Sequence, residues 1–206
     1  MHWKLVTDAT TEPITTAQAK KHLNVSISDD DTYIDILIKV ARQSIERATD
    51  RAFLNQTWRL YLENWPSGKD ERIYLPYSPV SSIESIKYTD TAGDQQTWTN
   101  TEYQADTNHE PGRIAPAYGY VYPSIRSADD LSHIIIEYVS GYGANIGAAT
   151  LLPAQMTQAL YLLISHLYEN REPVAVGTII SDFPLSIQFL IDQMSVGWMY
   201  DAGRFA

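Results

Sequence analysis

The rhythm of hydrophobic and polar positions changes twice along the chain. In "SISDDDTYIDILIKVARQSIERATDRAF", Ile34, Leu37, Ile38, Ala41, Ile45 and Ala48 recur three or four positions apart. That is the period of a helix with one buried face. Ser28 and Asp29–Asp31 stand at its start, where free N–H groups and the helix dipole favour negative oxygens. The spacing predicts a helix near 29–50. A shorter one is predicted near 15–23, in "PITTAQAKKHLNV", with Thr15 or Thr16 as its cap. After Asn55 the period shortens to two. "QTWRLYLENWP" sets Trp58, Leu60 and Leu62 on one side, and "RIYLP", "SSIESIKYTD", "QQTWT", "EYQAD" and "LSHIIIEYVSG" are further strands. "TAGD" (91–94) is a hairpin turn. In "AYGYVYPS", Tyr118, Tyr120 and Tyr122 alternate, which predicts one aromatic face packed mostly within the chain. Helical spacing returns near 153–171 through Met156, Leu160, Leu163, Ile164 and Leu167. Pro153 suits the first turn and Pro173 ends the helix. "PLSIQFLIDQM" is a last helix near 184–194.

The order is helix, helix, strands, helix, helix, with no βαβ alternation and so no doubly wound sheet. The reading is an α+β fold: a mainly helical core, built by helices from both ends of the sequence, with an antiparallel β insertion at about 55–140. One domain spans 1–206, and residues 196–206 form a tail.

Composition narrows the function. Cysteine is absent, which excludes disulfides, thiol catalysis and thiolate metal sites. The net charge of −10 disfavours binding to nucleic acid, whose affinity comes from Lys and Arg neutralising phosphates. No apolar run reaches the roughly 18 residues of a membrane span. The start, "MHWKLVTDATTEP", has no signal-peptide core. The 14 Tyr and 5 Trp suggest large contact surfaces, internal or between chains.

The chemistry-bearing stretches resolve into structural readings. "SHLYENREP" gathers His166, Tyr168, Glu169, Arg171 and Glu172. On a helix, His166 shares a face with Asn170, and Tyr168 with Glu172, while Glu169 lies elsewhere. The group spreads around a helix end and does not converge. Asp29–Asp31 lack the Gly and terminal Glu of a calcium loop. Gly141, Gly143 and Gly147 are spaced one residue too long for a dinucleotide fingerprint, so they mark a turn. The five histidines are scattered and form no HExxH pair. No catalytic residue, metal ligand or cofactor is expected. Two rival classes have their own requirements. A small hydrolase would use the His166/Glu169 region. A carbohydrate-binding module would expose Trp58, Trp65 and Trp98 in a row. The tail, with Trp198, Met199, Tyr200, Arg204 and Phe205, either packs back on its own chain or docks on a neighbour, where these residue types anchor interfaces.

Five segments together resemble the head–tail connector, or adaptor, proteins of tailed phages. They are "TEPITTAQAKKHLNV", "DDDTYIDILIKVARQSIERATDRAFLNQTW", "LPYSPVSSIESIKYTD", "IIIEYVSGYG" and "LPAQMTQALYLLISHLYENRE". Their order and spacing match over residues 10–175, and "VGWMYDAGRFA" departs from the pattern. The resemblance implies a non-catalytic virion protein at the head–tail junction, assembled in the host cytoplasm. It implies a dodecameric ring of the chain with itself, beneath the portal protein and offering a surface to a stopper or tail-completion protein. Genomic double-stranded DNA would pass through the lumen without specific binding, and no membrane is involved. Partner contacts are expected at Trp198, Met199, Tyr200, Arg204, Phe205, Tyr168 and Arg171.

Overall fold

The computed structural model describes residues 1–67, 71–126, 132–145, 152–171 and 184–196. Thr15 caps α1 (Thr16–Leu23) reciprocally. Its hydroxyl accepts from the Gln18 amide, and its own N–H donates to the Gln18 side chain at 2.8 Å. Asn24 then ends the helix in the left-handed conformation. The predicted stripe of α2 (Asp31–Thr49) is buried: Ile34, Leu37, Ile38, Ala41 and Ile45 all face inward. α3 (Ala154–Glu169) and α4 (Leu185–Met194) complete the bundle, and α2, α3 and α4 pack against one another pairwise. Helices from the two ends of the sequence do meet, as their apolar faces require.

The strands form two antiparallel sheets. The larger has the order β1-β2-β8-β4-β5, with β1 His2–Thr7, β2 Gln56–Leu62, β4 Val80–Thr89, β5 Gln95–Thr97 and β8 Ile134–Ser140. The smaller has the order β3-β7-β6, with β3 Ile73–Tyr74, β6 Tyr103–Asp106 and β7 Arg113–Pro116. β8 is central and pairs on both sides, with Leu60 opposite Ile136 and Ile86 opposite the same residue. β1 and β7 are strands the sequence reading passed over. β1 lies along the rim of the large sheet, paired with β2, and its Trp3 and Leu5 reach the sheet interior.

These contacts correct the expectation of a mainly helical core. Among the described residues helix accounts for 31% and strand for 26%, so neither dominates. More decisively, there are two cores. One is helical and includes Ile34, Ile38, Ile45, Leu160, Ile164 and Ile187. The other belongs to the sheets, around Trp58, Leu60, Ile86, Trp98, Ile136 and Tyr138. The strands bury their aromatic and branched side chains mainly against one another, in a cluster separate from that of the helices. The Tyr118/Tyr120/Tyr122 stripe is also corrected. No strand forms there, because Ala117–Tyr120 make a turn with Gly119 at φ +84°. Tyr118 and Tyr120 are exposed, and only Tyr122 packs inward.

Candidate functional site

Two places concentrate charged and aromatic side chains. The first is the bundle end formed by the N-terminus of α2 and the C-terminus of α3. Tyr168 donates its hydroxyl to Asp30 Oδ2 at 2.6 Å, and Arg171 Nη2 donates to the same oxygen at 2.9 Å. The Arg171 guanidinium lies 4.9 Å from the Tyr33 ring centre and 4.8 Å from that of Tyr168, a cation over two π faces. The Tyr168 hydrogen bond, followed by that of Arg171, holds the Asp30 carboxyl below its usual range. Asp30 therefore does not cap its own helix by a side-chain bond but ties it to α3. Lys20 reaches Asp31 at 2.6 Å and adds α1 to the same end.

The remaining members of the "SHLYENREP" cluster do not converge. His166 is exposed, and its carbonyl accepts from the Asn170 amide at 2.8 Å. Glu169 is exposed on another side. An acid–base pair for a hydrolase needs groups within hydrogen-bond reach of one point, and this helix end does not supply it. Glu172 and the tail residues Trp198, Met199, Tyr200, Arg204 and Phe205 lie outside the described residues.

The second place is the junction between the two cores. Arg42 is fully buried on α2. Its Nε donates to Glu12 at 2.7 Å, its Nη1 to Glu46 at 2.8 Å and its Nη2 to Asp8 at 3.1 Å. The three carboxylates raise the guanidinium's already high affinity for its proton, against the desolvation that would lower it. Glu46 is itself raised, because burial outweighs the pull of Arg42. Glu46 also accepts from the Phe53 amide and from Gln56, both at 2.9 Å, so the cage reaches the first residue of β2. Arg51 makes a parallel set of links. It donates to the Met194 carbonyl at 2.6 Å, to the Tyr142 hydroxyl at 2.8 Å and to both Glu110 oxygens. Gly141, at φ +142°, packs on the Leu54–Asn55 backbone so closely that a Cβ would lie 2.3 Å from a carbonyl carbon.

The tryptophans do not form a sugar platform. Trp58 is buried and stacked on Tyr77 at 3.8 Å, and Trp98 is buried as well. Trp65 stacks on Tyr122 at 4.9 Å and donates its indole N–H to the Pro123 carbonyl at 2.8 Å. Among the described residues no three His, Asp or Glu are grouped as a metal would need, and no helix is long and apolar enough to cross a membrane. The geometry is that of a scaffold whose polar clusters join its parts.

Comparison with known proteins agrees. The family of phage gp6-like head–tail connector proteins matches residues 13–111. That span covers α1, α2 and the strands β2 to β6. The chain is similar to head–tail connector proteins over that span. It is also similar over 95% of its length to a chain in the neck of an empty gene transfer agent particle computed with C6 symmetry, over 95% of that chain, with TM-score 0.74 and 25% identity. It is likewise similar to a chain in the neck of a native particle computed with C12 symmetry, with TM-score 0.70, 25% identity and the same 95% coverage of both chains. A chain of the native gene transfer agent virion shares the fold at TM-score 0.74 and 24% identity, again over 95% of both chains. No curated protein sequence matches the chain.

Two sets of residues escaped the sequence reading. Arg42, Glu46 and Arg51 pair across long sequence separations, and helical periodicity does not report pairing. Ile36, Val40, Leu185 and Phe189 are apolar yet outward-facing. Their signal was present: each lies off the buried stripe of its helix.

Proposed function

We infer that the chain is a structural subunit of the virion at the head–tail junction, where copies form a ring that joins the head to the tail and lines the path of the DNA. The carrying observation is the match of nearly the whole fold, at TM-score 0.74, to a chain of a particle neck. A ring of dodecameric order is supported by the C12 symmetry of a similar neck. On this reading the ring meets the portal protein on one side and a stopper or tail-completion protein on the other. It performs no turnover. Its acidity suits the task, because a lumen poor in cations does not hold phosphates as DNA slides past.

Tyr168 and Arg171 stand at the accessible end of the bundle, with half of the Arg171 side chain exposed. They are proposed, with Trp198, Met199, Tyr200, Arg204 and Phe205, as contacts to the portal or to a neighbouring subunit. Electron cryomicroscopy of particles, with and without the connector gene, tests the function. A ring of density at the neck that fits this fold and vanishes with the gene is expected. Intact necks in the knockout would overturn the proposal.

A further inference from the structure

Among the described residues, two apolar stripes of the bundle have no partner. On α2, Ile36 and Val40 are 55% and 42% exposed, opposite the buried Ile34, Leu37, Ile38, Ala41 and Ile45. One turn apart, they form a ridge that Gln43 and Arg47 extend along the same side. α4 repeats the design. Leu185 and Phe189 are 88% and 64% exposed, opposite the buried Ile187, Ile191 and Met194, and Asp192 extends the line. Because α2, α3 and α4 pack pairwise, they are triangular in cross-section. The outward sides of α2 and α4 therefore diverge, and the two stripes of one copy face apart.

We propose that the Ile36–Val40 ridge of one connector packs against the Leu185–Phe189 ridge of the next copy in the ring. This rests on the ring reading given above. A closed ring needs a heterologous contact, in which one patch meets a different patch. Two unlike stripes on diverging faces of one bundle meet that need. Both ridges have the one-turn spacing that lets side chains of facing helices interdigitate. Their charges are complementary. With the helices parallel and Phe189 beside Val40, Asp192 falls level with Gln43, one turn short of Arg47. The long Arg47 side chain leans toward the N-terminus of its helix and spans about that one turn back to Asp192. Among the described residues neither Arg47 nor Asp192 makes an ion pair. The α2 ridge carries no carboxylate on this line, and the α4 ridge carries no cation.

The absence of cysteine makes the test clean. Val40→Cys and Phe189→Cys are introduced singly and together into the full chain, in particles that carry the variant as their only connector. Both positions are exposed, so the reduced variants should melt like the parent. Mild oxidation of the double variant should give a ladder of dimers, trimers and larger species on a denaturing gel, while the single variants stay monomeric. Dimers from either single variant would mean like-to-like contact and would overturn the pairing. No ladder from particles whose necks still show the ring would overturn this surface and leave the function standing. Necks lacking the connector would remove the functional reading and this proposal together. As an independent arm, Arg47→Glu should reduce incorporation into particles, and adding Asp192→Arg on the same chain should restore it. Failure of that rescue, with both variants folded, would count against the charge pairing.

Discussion

At the scale of single residues, the buried guanidinium of Arg42 decides most. It faces three carboxylates, and removing it leaves the buried Glu46 without its cation, held only by the Phe53 amide and Gln56. Arg42→Leu should cost about 3–5 kcal/mol at neutral pH, read from urea unfolding, the usual result of breaking a buried pair from one side. The pH dependence that Glu46 contributes should also steepen. Glu46 holds its proton more tightly folded than unfolded, because burial raises it. In the variant no cation offsets that, so stability should rise as pH falls from about 7 toward about 5. In the parent, Asp8 works the other way. Its pairing with Arg42 outweighs the burial that would raise it, and so places its carboxyl below the ordinary 3.8. That stabilisation is full above the unfolded value and disappears as pH drops through the folded one. Asp8→Asn should therefore be less stable at neutral pH and lose less than the parent between about pH 5 and pH 3. Gly141 is the other sensitive position. Gly141→Ala should cost about 2–4 kcal/mol, because a methyl there meets backbone and the left-handed φ disfavours a side chain. None of this was readable from the sequence beyond a turn at Gly141, since the partners of Arg42 lie up to 34 positions away.

At the scale of elements, the hydrophobic period was informative wherever burial was one-sided. All four helices lie where their stripes placed them, and Trp58, Leu60 and Leu62 do share the buried side of β2. Leu37 is only 6% exposed, so Leu37→Ala should cost about 2–5 kcal/mol. A loss below about 1 kcal/mol in chemical denaturation would contradict this burial. β1 was missed for a physical reason. An edge strand is paired on one side only and buries little, so its alternation is weak. β7 is four residues long and ends in proline, which reads as a loop. The three aromatic residues at 118–122 alternated without forming a strand, because the glycine between them turns the chain. The assembly ridges are the opposite case. Ile36 and Val40 are plain in the sequence, but only a structure shows that they stay exposed among the described residues.

At the scale of the whole molecule, the sequence reading found both kinds of element and misjudged how they share the interior. Strands were treated as an insertion on a helical body, whereas each layer has its own core. Counting helices and strands does not reveal that; the separation follows from which apolar residues touch. The bundle and the sheets are joined by side-chain links, several of them from Arg51, and by backbone bonds along Asp50–Asn55. Arg51→Ala should therefore do more than lower stability. Calorimetry is expected to show a broader or split transition, as the two cores cease to unfold together. A single sharp transition with unchanged enthalpy ratio would show that the remaining links suffice. The same division has a mechanical side. Hydrogen-bonded strands and interlocked helices resist shear better than a seam of separate clasps, so tension across the subunit concentrates at that seam. Pulled in an optical trap by its two halves, the protein should yield there first, in a short extension that leaves both halves folded and able to snap back.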